Sequence, residues 1–302
     1  MHPKQGKVRE RECYNLSLYG GYSSVAERRS VDPDVVGSTP TSRPNREIPA
    51  VSGPLAVEPQ PSGAIFVGCS GWAYPSWKPA FYPAKTPNKR LLEHYATRLN
   101  SVEVNYTFRQ LPSAATLDSW LAQVGGDFRF SFKAPQRITH LKRLRECGEV
   151  LSAFYAALAP VLRAGRAGAV LFQLPPNFKA EAGRLDAFLA DAAREQAGGL
   201  RLAFEFRHPS WFTDETFALL ERHDSALCLA ESDELETPKI NTASFSCYRL
   251  RKAAYTEGEL RQIEGQLQES AKRGDVFAYF KHEDTPEGAF YAEAVLGRLR
   301  AR

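Results

Sequence analysis

The sequence of 302 residues is poor in cysteine, and none of its five cysteines forms a CxxC pair. An odd count without paired spacing argues against a disulfide framework and against a zinc ribbon. Cys69, Cys228 and Cys247 fall in apolar runs, where a small buried thiol is the ordinary explanation, and free thiols fit a reducing cytoplasm. From residue 64 onward there is no HxH, HExxH or DxD spacing, so no metal site is assigned. Neither standard type of glycine-rich phosphate loop occurs, which disfavours a nucleotide cofactor and leaves the cofactor unknown. No apolar run is long enough to span a bilayer, and the N-terminus lacks a signal-type apolar stretch, so no membrane partner is expected. A net charge of +4 and a pI near 8.7 permit a polyanionic partner without requiring one.

What is present is an ordinary globular composition, 43% hydrophobic and 25% charged, arranged as eight short apolar runs. They begin at Ile65, Ser101, Phe128, Ala169, Leu200, Ser225, Ser246 and Asp275, and most are separated by longer stretches with helical spacing. Strands are expected over 65–69, 101–106, 128–133, 169–174, 200–206, 226–230, 245–250 and 276–280. A helix is expected from about Val150 to Leu162, with Gly165 and Gly168 punctuating its end. Leu260, Ile263 and Leu267 give the cleanest amphipathic helix, while Asp233–Ala243 is too short and polar for one. Strand then helix, eight times over, is the order of a closed parallel (β/α)8 barrel of TIM type, and residues 64–302 are long enough for one. Chemistry in that fold sits at the carboxyl ends of the strands.

Residues 1–63 differ in kind, with few aliphatic clusters and a Pro/Ser/Gly-rich end, and are expected to be a disordered tail. Reverse-translated, Ser23-Ser24-Val25 can be AGC-TCA-GTN and Gly37-Ser38-Thr39-Pro40 can be GGT-TCG-ACT-CCN, the D-arm and T-arm consensus sequences of a transfer RNA gene. They stand about 14 codons, roughly 42 nucleotides, apart, so the segment is set aside like other non-native leaders. The expectation is a start assigned too early, reading through a tRNA gene; the alternative is a genuine disordered leader.

The strand ends carry the candidate site. Glu103 and Asn105 share one face of strand two, where Glu103 could be a general base, a metal ligand or a partner for Lys133. Glu205 and Arg207 repeat the arrangement on strand five, followed by His208. Inward charges are costly unless they pair with each other or receive a charged ligand. Lys133, ending strand three, suits a counter-ion or phosphate binder, and a Schiff base if burial lowers its pKa. His140 follows in a loop, and His282-Glu283-Asp284 follows strand eight; with Glu103, Glu205, His208 and Asp233 they supply metal-ligand types, but not at a metal-site spacing. Trp72, Tyr74, Trp77, Phe81 and Tyr82 crowd one loop, with Tyr106, Phe108 and Trp211 after other strands. Such rings can stack on bases or sugars, or pack as a small core over the barrel mouth.

The stretches VGCSGWAYPSW, FYP, LLEHYATRLNSVEVNYTF, FSFKAPQRITH, VLFQLPPNF and FEFRHPSW resemble the signature of the YecE-like family (domain of unknown function 72), from about Ile65 to the C-terminus. The resemblance implies a TIM-type barrel and no particular reaction. It marks Ser70, Gly71, Trp72, Trp77, Glu103, Asn105, Lys133, His140, Gln173, Glu205, Arg207, His208 and Trp211 as motif positions. The chain departs from the family pattern after strand seven, where Tyr248-Arg249-Leu250-Arg251-Lys252 replaces a Tyr-x-Arg-x-His-Gly run. It departs again after strand eight, where Lys281-His282-Glu283-Asp284 replaces an Asn-Asn-Asp run; Asp284 retains the last position. No site residue is therefore assigned on those two strands.

Two functions are expected from these residues. The first is an enzyme of hydrolase or lyase type acting on a small polar or anionic substrate. Glu103 and Glu205 would be acid/base groups, and Lys133 and His208 would join them in catalysis. Substrate would be bound by Ser70, Trp72, Trp77, Asn105, His140, Gln173, Arg207 and Trp211. The alternative is a nucleic-acid-binding or nuclease-like barrel, with Arg137, Lys142, Arg143 and Arg145 meeting phosphate. The separation of the two carboxylates discriminates: at opposite ends of the barrel they could not share a reaction.

Overall fold

A computed structural model of the chain describes residues 63–195, 199–231, 235–281 and 285–301. The tail expectation for 1–63, Asp233 and the run His282-Glu283-Asp284 lie outside the described residues, Gly63 excepted.

Eight strands close into a parallel barrel in chain order: β1 (Ile65–Cys69), β2 (Ser101–Val104), β3 (Arg129–Lys133), β4 (Ala167–Gln173), β5 (Arg201–Glu205), β6 (Ala226–Ala230), β7 (Ser246–Leu250) and β8 (Val276–Phe280). β1 pairs with β8 along its whole length, Ile65↔Val276 to Cys69↔Phe280, which shuts the ring. The helices are α1 (Leu91–Arg98), α2 (Ala114–Leu121), α3 (Gly148–Arg163), α4 (Ala182–Glu195), α5 (Asp214–Arg222), α6 (Glu257–Ala271) and α7 (Glu287–Arg300). The described residues between β6 and β7 form no helix, so the strand–helix alternation lapses once, over the polar stretch where none was expected.

The period-two alternation of the strands builds two apolar layers. Phe66, Leu171, Ala203, Cys228, Cys247, Phe277 and Tyr279 fill the barrel interior. The opposite faces, among them Val102, Phe130, Phe132, Val170, Phe172 and Phe204, pack beneath the helices. α6 shows how the outer shell is made: Leu260, Ile263 and Leu267 face inward, and a capping box between Thr256 and Glu259 satisfies the first turn.

Gly165 does end α3, at a φ of 66°. Gly168 does not; it lies within β4, which corrects the expectation drawn from its spacing. The β3–β4 register slips between Phe130↔Ala167 and Phe132↔Val170, leaving Gly168 and Ala169 opposite Ser131. A Cβ on Gly168 would stand 2.5 Å from Ser131 Oγ, and Ser131 Oγ accepts the Ala169 N–H at 2.8 Å. Only glycine fits this bulge without moving the hydroxyl.

Candidate active site at the carboxyl ends of the strands

The inward faces carry Glu103, Lys133, Gln173, Glu205 and Arg249 at the carboxyl ends of their strands, and Ser70, Arg207 and Arg251 follow just past theirs, all at one end of the barrel. Glu103, Glu205 and Arg249 are 1%, 3% and 3% exposed and form its floor. Arg249 donates from Nε to Glu103 Oε2 at 2.9 Å and from Nη2 to Oε1 at 2.8 Å, and its Nη1 donates to Glu205 Oε2. Glu205 Oε1 also accepts from Gln173 Nε2 at 2.7 Å and from Arg207 Nε at 2.8 Å. The two carboxylates thus share one cation at one end of the barrel.

Their chemistry differs from the expected acid/base pair. Burial alone would raise the Glu103 pKa, but the charges of Arg249 and Arg251 outweigh it and bring it down to about 2. Burial likewise opposes ionisation of Glu205, and Arg249, Arg207 and Arg251 hold it well below the usual carboxylate range. A general acid or base works best with a pKa near the operating pH, so these groups hold charge rather than exchange protons at neutrality. Of the three roles open to Glu103, pairing with Lys133 is not the one it takes. Arg249 occupies both oxygens of Glu103, because a planar guanidinium offers two parallel donors that an ammonium cannot.

Lys133 stands apart. Among the described residues no hydrogen bond or ion pair engages its Nζ, which lies 4.2 Å from the centroid of the Phe108 ring. Burial first, then the positive charge of Arg249, lower its pKa to about 8, against the opposing pull of Glu103 and Glu205. His140, in one wide helical turn over Arg137–Leu141, meets the edge of the same Phe108 ring at 5.0 Å. Its Nδ1 and Thr139 Oγ1 are 2.8 Å apart; burial, then Lys133 and Arg207, push its pKa down.

Arg251 closes another side. Its Nη2 donates to Ser70 Oγ at 3.0 Å and lies 3.5 Å from Glu103 Oε1. Burial and then Arg249 lower its pKa to about 10, with Glu103 and Glu205 opposing. The Ser70 carbonyl accepts from Asn105 Nδ2 and from the Tyr74 hydroxyl, both at 3.2 Å. Among the described residues, two buried atoms here have no partner, Arg251 Nε and Asn105 Oδ1. Beyond Arg251, the Glu231 carboxylate accepts from the Arg251 backbone N–H and the Tyr255 hydroxyl.

Several expected ligand contacts are instead structural. Trp77 is fully buried among Tyr74, Phe81 and Tyr82, at centroid distances of 4.9, 5.5 and 5.8 Å. Trp211 is fully buried, stacked on Phe206 at 4.8 Å, and its Nε1 donates to the Phe178 carbonyl at 2.7 Å. Neither offers a substrate a ring face, which corrects their assignment; the aromatic loop packs as its own core. Trp72 is half-buried edge-on against Trp120 at 4.9 Å. The His208 Nδ1 accepts from the Ser210 N–H at 3.1 Å and pairs with Ser210 Oγ at 2.8 Å, so this ring nitrogen caps the turn ahead of α5. Among the described residues, no three His, Cys, Asp or Glu side chains come together as a metal site, and no helix is long and apolar enough to cross a membrane.

Arg249 and Arg251 were not assigned from sequence. The signal was present: Arg249 on β7 and Arg251 just past its end share the parity of Cys247, so both face inward as soon as Cys247 does.

Fold and site define a TIM-type barrel with a charged mouth at the carboxyl ends of its strands. The chain belongs to the family described as "Protein of unknown function DUF72", which matches residues 66–302. It is similar to the UPF0759 protein YecE of Escherichia coli (strain K12), 34% identical over 149 residues, 49% of this chain and 50% of the relative. It is also similar to the UPF0759 protein YunF of Bacillus subtilis (strain 168), 30% identical over 153 residues, 49% of this chain and 52% of the relative. The chain spans about half the length of these curated relatives. A DUF72 family protein from Thermotoga maritima MSB8 superposes with a TM-score of 0.70 at 24% identity, covering 78% of this chain and 99% of that one. Another, from Enterococcus faecalis V583, gives 0.63 at 18% identity, covering 80% and 99%. These two likenesses establish the shared fold.

Proposed function

We propose that the chain is an enzyme of hydrolase or lyase type that takes a small anionic substrate at the carboxyl-end mouth. The observation that carries this is the buried donor Arg251 Nε, which among the described residues has no acceptor, beside Ser70. A buried donor left unmade costs about 1–3 kcal/mol, which a ligand acceptor would recover. The charge balance supports an anion: Arg207, Arg249, Arg251 and Lys133 face Glu103 and Glu205, with Glu231 engaged behind. Since the carboxylates are held ionised, Lys133 is the group with a pKa suited to proton exchange or attack near neutral pH.

The test is calorimetric titration of the full chain with phosphate and with pyruvate at low salt. Saturable binding of at least one is expected, weakened about tenfold in Arg251→Gln, the usual loss for one charge-assisted hydrogen bond. Absence of saturable binding by both anions, or binding unchanged in the variant, would overturn it.

A nucleic-acid-binding reading has no separate observation behind it. The rings it needs are committed to packing, Lys142 Nζ donates to the Glu146 carbonyl at 2.7 Å, and Arg143 Nη2 donates to Asn177 Oδ1 at 3.1 Å.

A further inference from the structure

We propose that Lys133 is a nucleophile that forms a protonated imine with a small carbonyl compound bearing a carboxylate or phosphate group. This rests on the reading of the mouth as an anion site and adds the reacting group and the second functional group of the substrate.

Four features meet at this lysine. It ends β3 on the inward face, two residues after Ser131, whose hydroxyl accepts from the Tyr279 hydroxyl at 2.6 Å inside the barrel. Its backbone is held by Thr107 Oγ1, which donates to the Lys133 carbonyl at 2.6 Å. Its amine is not consumed: both nearby carboxylates are occupied by Arg249, Arg207 and Gln173, and among the described residues Nζ has neither hydrogen bond nor ion pair. The groups acting on it from the surrounding strands are Arg249, Glu103, Glu205 and Arg207, whose balance together with burial leaves a pKa of about 8. At pH 7 the neutral amine is then on the order of a tenth of the total, against less than a thousandth for an ordinary lysine. Phe108 walls one side, and cations that would hold an acidic substituent stand on the other strands.

The step is redox-neutral. The Nζ lone pair forms a bond to the carbonyl carbon, and the carbon–oxygen bond then breaks. The oxygen leaves as water with one proton from Nζ and one from solvent, giving a positively charged C=N–H linkage. Hydrolysis reverses each change. Such a linkage draws electrons from the neighbouring carbon, which favours lyase chemistry over hydrolysis.

The experiment incubates the full chain with pyruvate, dihydroxyacetone phosphate or acetone at pH 7, adds borohydride to reduce any imine, and maps adducts by peptide mass spectrometry. With at least one of the two anionic carbonyls, Lys133 is expected to be modified about a hundredfold faster than exposed Lys89, Lys179 and Lys272, following its larger neutral fraction. Acetone should label it far less. Lys133→Arg should keep the far-ultraviolet circular dichroism of the parent and lose the adduct. Labelling of Lys133 no faster than the exposed lysines overturns the proposal; if phosphate or pyruvate still binds by calorimetry, the anion reading survives without it. Equal labelling by acetone removes the acidic group from the proposed substrate.

Discussion

Arg249 on β7 grips Glu103 on β2 through two parallel hydrogen bonds of 2.9 and 2.8 Å, across the interior of the barrel. The two strands are not neighbours; β1 and β8 lie between them. The same guanidinium reaches Glu205 on β5, so one side chain ties together three strands that share no edge. Burial of all three charges makes the tie costly to break from one side, because the remaining partners would stay charged without compensation.

Replacing Arg249 by Met should therefore destabilise strongly. Removing one member of a buried ion group costs about 3–5 kcal/mol, which for a domain of this size lowers Tm by roughly 10 °C. The triple variant Arg249→Met, Glu103→Gln, Glu205→Gln should recover a substantial part of that loss. Thermal melts of the three proteins check both statements. A single variant melting within a degree or two of the parent would mean that the carboxylates find other partners.

Acid should act through Glu103. Its folded pKa of about 2 lies below the ordinary carboxylate value of 4.5, so its contribution is complete above that value. As pH falls from about 4.5 through about 2, protons bind the unfolded chain first and that stability is lost; one such group is worth on the order of 3 kcal/mol. Denaturant melts between pH 6 and pH 3, taken as rough limits, should show a smaller fall in stability for Glu103→Gln than for the parent. Parallel slopes would show that Glu103 titrates alike in both states.

The barrel was legible because its strands advertise themselves twice. Val276–Phe280 and Ile65–Cys69 are apolar on both faces, and each is followed by polar residues where the chain leaves the sheet. β1, β6 and β8 lie where the apolar runs put them, and the other strands differ by one or two residues at one or both ends. The site was half legible. Glu103 and Glu205 follow from strand parity, but their partner does not, since nothing local distinguishes a β7 arginine that crosses the barrel from one that pairs with its neighbour. The departure from the family motif after β7 hides Arg249 and Arg251, because arginines in place of the motif residues carry no local sign of entering the site. The aromatic positions misled for a different reason: Trp77 and Trp211 occur in loops, and loop position does not reveal that a loop carries its own buried core.

Lys133 opposes stability at neutral pH. Its folded pKa of about 8 lies below the ordinary 10.5, so the penalty is absent above the unfolded value and builds as pH falls through the folded one. Lys133→Met should raise stability at pH 7 by on the order of 1–2 kcal/mol, discounted for partial exposure of the amine. The gain should shrink as pH rises from about 8 towards 10 and vanish above about 10.5, where both states are neutral. Melts at pH 7 and at about pH 10 measure it; a variant less stable than the parent at pH 7 would mean that an ionic partner holds the amine.

Trp211→Phe separates packing from binding. The substitution keeps the stack on Phe206 but removes the donor to the Phe178 carbonyl. Leaving that buried acceptor unmade should cost about 1–3 kcal/mol. Anion affinity should be unchanged, because no face of the indole opens to the mouth. Calorimetry on the variant decides; a parallel loss of affinity would return Trp211 to the binding surface.

Among the described residues, the ring of eight strands is complete from β1 to β8. The Gly63 N–H donates to the Ala271 carbonyl at 2.7 Å, the Ala64 N–H donates to Asp275 Oδ1 at 2.9 Å, and the Val276 N–H donates to the Ala64 carbonyl at 2.9 Å. The Val276–Ala64 bond continues the β1–β8 ladder to its start, the other two tie the segment to α6 and to the Asp275 side chain, and the closed ring of strands has no edge for a further segment to join. A chain beginning at Ser62 should therefore fold and melt with the full chain, and should form the same Arg249 ion group. Side-by-side thermal melts are the measurement. A loss of more than a few degrees, equivalent to roughly 1 kcal/mol or more in a domain of this size, would show that residues 1–61 contribute to the folded state.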